Sequence, residues 1–199
     1  MAHPIVLAIT GASGVVYGQR LLEVLLQSKV DTHLTISDSA RIVMKHELDL
    51  DIDLDSFSLE QIIPGYNGSQ TVEYHHYKNF MTPIASGAFK TRGMVVCPCS
   101  GGTMSGIATA ASRNLILRAA DVHLKERRPL ILVPREAPLS LIQIDNMRTT
   151  CAAGATILPA SPGFYHEANS VSDLVDFVVA RILDHLDIEH QLIRRWGSD

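Results

Sequence analysis

A short apolar run that ends in a glycine-rich turn constrains the fold of this chain more than any other feature. Residues 4–10 read Pro-Ile-Val-Leu-Ala-Ile-Thr, and Gly11-Ala-Ser-Gly14 follows directly. A nearly continuous apolar run of this kind indicates a strand that is buried on both faces, as in parallel sheets covered by helices. Leucines then recur at helical spacing within residues 21–26. The segment therefore predicts a strand, a tight turn and a helix.

The rest of the chain repeats this alternation. Apolar runs predict further strands at 32–37, 93–97, 130–133 and 155–158. A last helix is predicted at 171–186, where apolar residues recur at i, i+3 and i+4 behind a capping box of Ser170 and Asp173. We therefore predict an α/β protein, a single Rossmann-like, flavodoxin-like three-layer domain over residues 1–199 with a mostly parallel sheet.

Two stretches depart from this alternation. Residues 49–55 read Asp-Leu-Asp-Ile-Asp-Leu-Asp, and turn residues cluster at Pro64-Gly65 and Asn67-Gly68. We interpret residues 49–79 as a surface excursion of the domain and residues 188–199 as a C-terminal tail.

Composition and charge exclude several classes of function. The chain of 199 residues has a formal net charge of −4, so it lacks the cationic field that holds a nucleic-acid backbone. Its apolar runs fall short of the roughly 18 residues of a membrane span. The three cysteines do not suggest a disulfide framework. We therefore expect a cytoplasmic protein that binds neither nucleic acid nor membrane.

Two strand-to-helix loops are suited to an anionic ligand. In an open parallel sheet, ligands bind beyond the carboxyl ends of the strands, where helix N-termini offer free N–H groups. Gly11-Ala-Ser-Gly14 follows the first strand, and Pro98-Cys-Ser-Gly-Gly-Thr103 follows the strand at 93–97. Neither loop reads Gly-x-Gly-x-x-Gly, and the second strand ends in Ser37-Asp-Ser39, without the clear ribose-binding acid of a dinucleotide site. A mononucleotide such as FMN is favoured, although turn geometry alone also explains either loop.

Basic residues indicate a second anion site. Arg118 and Lys125 are seven residues apart and share a helix face. Arg135 lies in Pro-Arg-Glu-Ala-Pro directly after a predicted strand, at the sheet edge where ligands bind. Arg181 flanks the apolar stripe of the last helix, and with Tyr165 in the preceding loop it is a candidate phosphate clamp. Two alternatives stay open. Arg118 and Lys125 are also explained as part of a solvated charged helix surface, and Arg181 as an arginine at the edge of the core.

Metal and thiol chemistry have little support in the sequence. Cys97 and Cys99 together with His75 and His76 lack regular zinc spacing, and the nine histidines are scattered. No nucleophile elbow is present. We therefore predict no metal site and interpret most histidines as surface residues.

Together these motifs resemble the UbiX flavin prenyltransferases over nearly the whole chain. The matching blocks are Ile9-Thr-Gly-Ala-Ser-Gly14, Ala85-Ser-Gly87, Cys97-Pro-Cys-Ser100 with Thr103, Arg118-Ala-Ala-Asp-Val122, Leu124-Lys-Glu-Arg-Arg-Pro-Leu130, Val133-Pro-Arg-Glu-Ala-Pro138, Pro162-Gly-Phe-Tyr-His166 and Arg194-Arg-Trp196. The resemblance implies a flavodoxin-like fold and a metal-independent reaction that joins the dimethylallyl group of dimethylallyl phosphate to N5 and C6 of reduced FMN. It also implies that the product, prenylated FMN, serves UbiD-type decarboxylases, as in ubiquinone biosynthesis.

The resemblance further assigns roles to individual residues. FMN would be held by Gly11, Ala12, Ser13, Ser37, Ser100, Gly101, Gly102, Thr103 and Arg135. The prenyl phosphate would be held by Ala85, Ser86, Gly87, Arg118, Lys125, Tyr165 and Arg181. Catalytic roles would fall to Ser13, Glu47, Lys125, Glu136 and Trp196. The serine and the two glutamates would handle protons, the lysine would stabilise the departing phosphate, and the aromatic rings would face the allyl cation.

Assembly and function keep alternatives at this stage. The family implies a large homo-oligomer, a dodecamer, with sites between subunits. Phe80 stands where a relative has Trp, and a Phe face is the weaker cation partner. One alternative function is that of the flavin-dependent cysteine decarboxylases, whose Pro-Ala-Ser-Ala-Asn-Thr segment is similar to residues 98–103, although their Pro-x-Met-Asn-x-x-Met-Trp segment is absent. The other is a non-enzymatic FMN carrier, which needs no second phosphate site.

Overall fold

The computed structural model describes residues 3–164 and 168–194. The strands within these ranges are β1 (Ile5–Ile9), β2 (Thr32–Ile36), β3 (Val72–Tyr74), β4 (Gly93–Cys99), β5 (Leu130–Pro134) and β6 (Thr156–Ile157). The helices are α1 (Val15–Gln27), α2 (Asp38–Leu48), α3 (Leu59–Ile62), α4 (Gly101–Ala108), α5 (Leu115–Lys125), α6 (Leu141–Ala152) and α7 (Val171–His185). None of the described helices is long and apolar enough to cross a membrane.

The strands form one sheet in the order β3-β2-β1-β4-β5-β6, and every neighbouring pair is parallel. This is the order of a doubly wound sheet, and without the short edge strand β3 it is the flavodoxin order. The predicted α/β architecture is confirmed. The chain reverses its direction of winding between the neighbouring strands β1 and β4, so a ligand crevice is expected beyond their carboxyl ends.

Strand β1 lies at the centre of the sheet and is buried along its whole length. Ile5, Leu7 and Ile9 pack with α1 and α7 on one face of the sheet. Val6 and Ala8 pack with α4 and α5 on the other. Because successive strand residues face opposite sides, one continuous apolar run supplies both cores. Helices α5 and α7 therefore lie on opposite faces of the sheet.

Helix α1 packs unusually close to strand β4. A Cβ built on Gly18 would lie 2.3 Å from the carbonyl oxygen of Cys97. Only a residue without a Cβ lets the helix approach the strand at this distance, which is the role of the last glycine in related nucleotide-binding turns. Gly18 thus permits the short packing distance between α1 and the sheet.

The segment 49–79, which we interpret from sequence as a surface excursion, also contributes to the sheet and the core. It contains α3 and β3, and the side chains of Ile52 and Ile62 are almost fully buried. Strand β3 is too short for its alternation to stand out in the sequence, and its pairing with β2 supplies the evidence for it. At the other end, α7 begins as predicted, with Ser170 Oγ accepting a hydrogen bond from Asp173 N at 3.1 Å.

Candidate functional site

The crevice between the loops after β1 and β4 is closed at its base by one threonine. The Thr10 hydroxyl donates to the carbonyl oxygen of Pro98 at 2.7 Å and accepts from the backbone N–H of Ser100 at 2.8 Å. Thr10 is buried, so both hydrogen bonds are shielded from water. This residue fixes the distance between the two predicted ligand loops. From the sequence, Thr10 is predicted only as the end of the first strand.

The glycine loop after β1 is held against the start of α2. A Cβ on Gly11 would lie 2.4 Å from the Cβ of Ser39, so the loop reaches this position only with glycine. Gly14 is the N-cap of α1 in a left-handed conformation, with φ of 93°. The predicted binding residue Gly11 therefore lies against Ser39, whose Oγ is 3.2 Å from Oγ of the predicted binding residue Ser37.

Three helices begin around the same space. Ser37 Oγ accepts from Ala40 N at 3.1 Å at the start of α2, and Ser100 Oγ accepts from Thr103 N at 3.3 Å at the start of α4. Asn114 Oδ1 accepts from Leu117 N at 2.9 Å at the start of α5. The N-termini of helices carry partial positive charge and unpaired N–H groups, which favour an anion.

These helix starts line a cavity of about 390 Å³. Its lining residues are Ser37, Asp38, Ser39, Tyr77, Ser100, Gly102, Thr103, Asn114, Ile116 and Leu117. A Cβ on Gly102 would meet no other atom within 4 Å, so this glycine faces open space. Asn114 and Tyr77 are additions to the predicted set. Asn114 could have been found from the sequence as a helix N-cap, because it directly precedes an apolar helical run, whereas no sequence signal indicates Tyr77.

The loop after β5 brings one cation and one carboxylate to the crevice. Arg135 reaches the glycine loop, where its Nε donates to the carbonyl oxygen of Ser13 at 3.3 Å. Glu136 Oε2 accepts from Gln143 Nε2 at 3.0 Å and lies 3.9 Å from a Cβ built on Gly101. The structure therefore brings the predicted FMN-binding residues and Glu136 to the carboxyl edge of the sheet.

Glu47 caps the helix that follows the glycine loop. Its Oε2 accepts from Gly14 N at 2.9 Å and from Val15 N at 3.3 Å. Gly14 has no side chain with which to cap α1, so a carboxylate from α2 satisfies the first N–H groups. The predicted catalytic residues Ser13 and Glu47 are thus neighbours.

A second group of predicted residues gathers along α5. Arg118 donates from Nε to the carbonyl oxygen of Ala85 at 3.1 Å and forms an ion pair with Asp121 at 3.0 Å. Lys125 forms an ion pair with Glu126, whose pKa is lowered by the hydrogen bond and charge of that lysine. The side chains of Arg118 and Lys125 both lie against the turn at residues 85–87. Arg118 reaches it through the carbonyl oxygen of Ala85, and a Cβ built on Gly87 would be 2.9 Å from Lys125 Nζ.

Arg181 does not join this group within one chain. It lies exposed on α7, on the opposite face of the sheet from α5, and its Nη1 donates to Asp184 Oδ2 at 2.9 Å. The predicted residues Tyr165 and Trp196, and His166 beside the first, lie outside the described residues. The phosphate clamp of Arg181 and Tyr165 therefore remains a prediction.

The thiols of β4 lie away from this chemistry. Cys97 and Cys99 are fully buried, and burial raises the pKa of both, that of Cys99 to about 12. Both are protonated at neutral pH, which disfavours nucleophilic or metal-binding roles. The pairing of these cysteines with His75, weighed from sequence, is not present. His75 packs instead against His33, and the interpretation of histidines as mostly surface residues is wrong for His33, His75 and His123, all of which are buried.

Comparisons with known proteins cover nearly the whole chain. Residues 1–183 match the model of the Flavoprotein family. The flavin prenyltransferase UbiX of Pseudomonas aeruginosa is 50% identical over 196 residues, which are 98% of this chain and 94% of that protein. The crystal structure of AnUbiX (PadA1) in complex with FMN and dimethylallyl pyrophosphate has a TM-score of 0.88 at 37% identity and covers 100% of this chain and 99% of that one. A dodecameric FMN-dependent UbiX-like decarboxylase from Escherichia coli O157:H7 has a TM-score of 0.85 at 37% identity, covering 98% and 100%.

Proposed function

The chain belongs to the flavoprotein family, among the UbiX flavin prenyltransferases, and we propose that it joins the dimethylallyl group of dimethylallyl phosphate to N5 and C6 of reduced FMN. The observation that carries this proposal is the convergence of three helix N-termini and Arg135 at the β1–β4 crevice. The relative of known structure with FMN and a prenyl pyrophosphate shares this fold at 37% identity.

The residues at the crevice fit FMN. A phosphate monoester is satisfied by N–H groups at helix starts and by one arginine, and all of these converge here. Gly102 leaves space where a side chain would otherwise enter the cavity. Gly11, Ala12, Ser13, Ser37, Ser100, Gly101, Gly102, Thr103 and Arg135 are the residues assigned to hold the flavin. When bound in its reduced form, FMN supplies the electron-rich N5 and C6 atoms that take the dimethylallyl group.

Proton handling is assigned to the carboxylates that flank the crevice. Glu47 lies beside Ser13 through its hydrogen bond to Gly14 N at 2.9 Å. Glu136 lies on the other side, near Gly101. Bond formation at N5 releases the N5 proton, and ring closure at C6 takes up one proton on the prenyl double bond and releases the C6 proton. Carboxylates at the crevice can accept and return these protons.

The cations along α5 are assigned to the departing phosphate. Cleavage of the allylic C–O bond leaves phosphate with both bonding electrons, so cations placed around its oxygens lower the barrier. Arg118 and Lys125, with the Ala85–Gly87 turn, form one part of such a cradle. Each is held at present by an acidic neighbour on its own helix, and a phosphate dianion competes with Asp121 and Glu126 for them.

The cradle needs a second copy of the chain. Because α5 and α7 cover opposite faces of the sheet, Arg118 and Arg181 of one chain cannot hold the same phosphate. A homo-oligomer in which α7 of one subunit meets α5 of another resolves this, with Tyr165 and Trp196 assigned to the same site. Leu141 and Ile142 at the start of α6 are 72% and 74% exposed, which favours burial between subunits. We propose a dodecamer, the assembly of the Escherichia coli relative.

The product is proposed to serve a UbiD-type decarboxylase, as in ubiquinone biosynthesis. We place the protein in the cytoplasm because its three cysteines, Cys97, Cys99 and Cys151, are unpaired thiols.

An anaerobic assay tests the reaction. Purified protein is mixed with dithionite-reduced FMN and dimethylallyl phosphate, and the released flavin is analysed by mass spectrometry. The proposal expects FMN that has gained one five-carbon prenyl unit. Unmodified FMN that still co-purifies with the protein would contradict it and would favour the decarboxylase or carrier function.

Arg181→Ala tests the second anion site. The variant is expected to bind FMN normally and to lose prenyl transfer. Arg148→Ala is a matched control, because Arg148 is also an exposed helical arginine in an i,i+3 ion pair, here with Asp145. Equal turnover in the two variants would remove Arg181 from the site.

A further inference from the structure

A cluster of two histidines and a glutamate lies at the edge of the sheet, outside the proposed reaction site. In the parallel ladder of β2 and β3, His33 is opposite Glu73. His75 follows Glu73 by two residues and so returns to the same face of the sheet. Its backbone N–H donates to the carbonyl oxygen of Leu34 at 2.8 Å, which extends the ladder past β3. The backbone register therefore places all three side chains together.

The three side chains meet at short distances. His33 Nδ1 and His75 Nε2 are 2.8 Å apart, and the imidazoles stack with ring centroids 5.1 Å apart. Glu73 places one carboxylate oxygen 3.6 Å from His33 Nε2 and the other 3.6 Å from His75 Nε2. One ligand atom from each residue lies within 4.8 Å of the other two.

The carboxylate distances are those of ligands rather than of hydrogen bonds. At 3.6 Å, Glu73 is too far from either imidazole for a hydrogen bond. Two ligands of one tetrahedral ion, each about 2.1 Å from it, are separated by about 3.4 Å. The carboxylate is already at this spacing from Nε2 of both imidazoles. The nitrogen of His33 that lies 2.8 Å from His75 Nε2 is Nδ1, so the His33 ring must turn for its Nε2 to share an ion with His75 and Glu73.

The two histidines of this cluster are buried, whereas Glu73 is accessible to solvent. The rings of His33 and His75 are buried, and Phe89 packs edge-on against His33 at 5.0 Å. Glu73 is 57% exposed and lines, with His33, a neighbouring cavity of about 280 Å³. The carboxylate of Asp31 also lines this cavity and adds negative charge. An ion therefore has a path from solvent and space for water ligands.

We propose that His33, Glu73 and His75 bind a divalent transition-metal ion, for which Zn²⁺ is the test ligand. Two imidazoles and one carboxylate suit zinc and its neighbours, and three protein ligands leave a position for water. Mg²⁺ and Ca²⁺ are disfavoured because they prefer oxygen ligands.

The ion would stabilise the sheet edge and would not take part in prenyl transfer. Strand β3 has three residues, so its pairing with β2 is a weak edge that a shared ion would reinforce. His33 lies near the amino end of β2, four residues or about 13 Å along the strand from Ser37 of the cofactor cavity. The site is thus independent of the proposed reaction.

The test uses untagged full-length protein that has been stripped with EDTA. Zn²⁺ is titrated by calorimetry, Co²⁺ by visible absorbance, and thermal unfolding is followed with and without Zn²⁺. The proposal expects one ion per chain, the intense visible bands of low-symmetry Co²⁺, and a higher unfolding midpoint with Zn²⁺. FMN binding is expected to be equal in the stripped and the loaded protein.

Variants locate the ion. His75→Gln is expected to abolish the site, and Glu73→Gln to weaken Zn²⁺ binding at least about tenfold. His46→Gln, at an exposed histidine of α2, is the control and is expected to bind like the wild type. Because the Glu73 side chain is largely exposed, Glu73→Gln keeps the test decisive even if His75→Gln fails to fold. Absence of stoichiometric binding in the wild type, or unchanged affinity in Glu73→Gln, would overturn the proposal.

Discussion

Replacement of Gly18 by alanine tests whether the close approach of α1 to β4 is required. The new Cβ would lie 2.3 Å from the carbonyl oxygen of Cys97 and 3.2 Å from two side-chain carbons of Ile9. An ordinary contact to that oxygen is about 3.4 Å, so the helix or the strand must retreat by roughly 1 Å. The obstacle is backbone in the central sheet, which cannot rotate away as a side chain does.

The expected cost follows from what α1 buries. Leu21, Leu22 and Leu25 are fully buried under this helix, and a gap of this size forfeits about a quarter to a half of each dispersion contact that it opens. Overpacking of this kind costs about 1–3 kcal/mol, and alanine recovers up to about 1 kcal/mol of helix propensity. We expect Gly18→Ala to lower the free energy of unfolding by about 2 kcal/mol. It also displaces the start of α1, so FMN affinity is expected to fall.

Two other helical glycines are the controls for this experiment. A Cβ on Gly106 would meet only the tip of the Leu117 side chain, at 2.8 Å, which can move, so a smaller loss is expected. A Cβ on Gly102 would meet nothing within 4 Å, so Gly102→Ala is expected to keep its stability while lowering FMN affinity. Urea unfolding at one protomer concentration, with flavin fluorescence for FMN binding, measures both effects. A Gly18→Ala midpoint equal to that of Gly102→Ala would refute the steric argument.

Three further predictions address pH and the crevice. Burial lowers the pKa of His123 to about 4, so its neutral form is stable in the fold, and stability is lost as pH falls below about 6.5, where the unfolded chain takes up the proton. The free energy of unfolding falls by about 2 kcal/mol between pH 7 and pH 5 from this group. Urea unfolding at these two pH values should show a smaller dependence of that free energy on pH in His123→Asn, and an unchanged dependence would contradict the prediction. Thr10→Val removes the acceptor of the Ser100 N–H and one of two donors to the carbonyl oxygen of Pro98, which keeps the backbone N–H of residue 10 at 3.3 Å. The loss should cost about 1–3 kcal/mol in the same assay, whereas Thr10→Ser should stay near the wild type. Glu47→Gln removes a negative charge from the start of α1, so the free energy of unfolding should fall by less than about 1 kcal/mol. Product formation should slow, whereas FMN affinity measured by titration should not change. Turnover equal to that of the wild type would remove Glu47 from the catalytic set.

Local patterns in the sequence were sufficient to predict the architecture. A strand buried on both faces needs apolar residues along its length, so the nearly continuous apolar run at 4–10 predicts β1 without distant contacts. Helical periodicity with a capping box predicts α7 in the same way. The two glycine loops were also predictable, because a sharp turn between strand and helix restricts the residue types. Since parallel strands carry their carboxyl ends to one edge, the sequence alone indicated that these loops would meet.

Contacts between distant segments were decided only by the tertiary structure. The Thr10 bridge spans 88 residues to Pro98, and Glu47 caps a helix 33 residues before it. Neither follows from periodicity, because side-chain partners across a fold depend on strand register and helix placement. The same register gathers His33, Glu73 and His75. From the sequence alone, the candidate partners of His75 were Cys97 and Cys99, which lack regular zinc spacing with it. The sheet also separates Arg118 from Arg181, since alternate helices in a doubly wound fold cover opposite faces. The sequence therefore determined most of the elements and which loops are candidates for ligand binding, and the packing of those elements determined which side chains lie together.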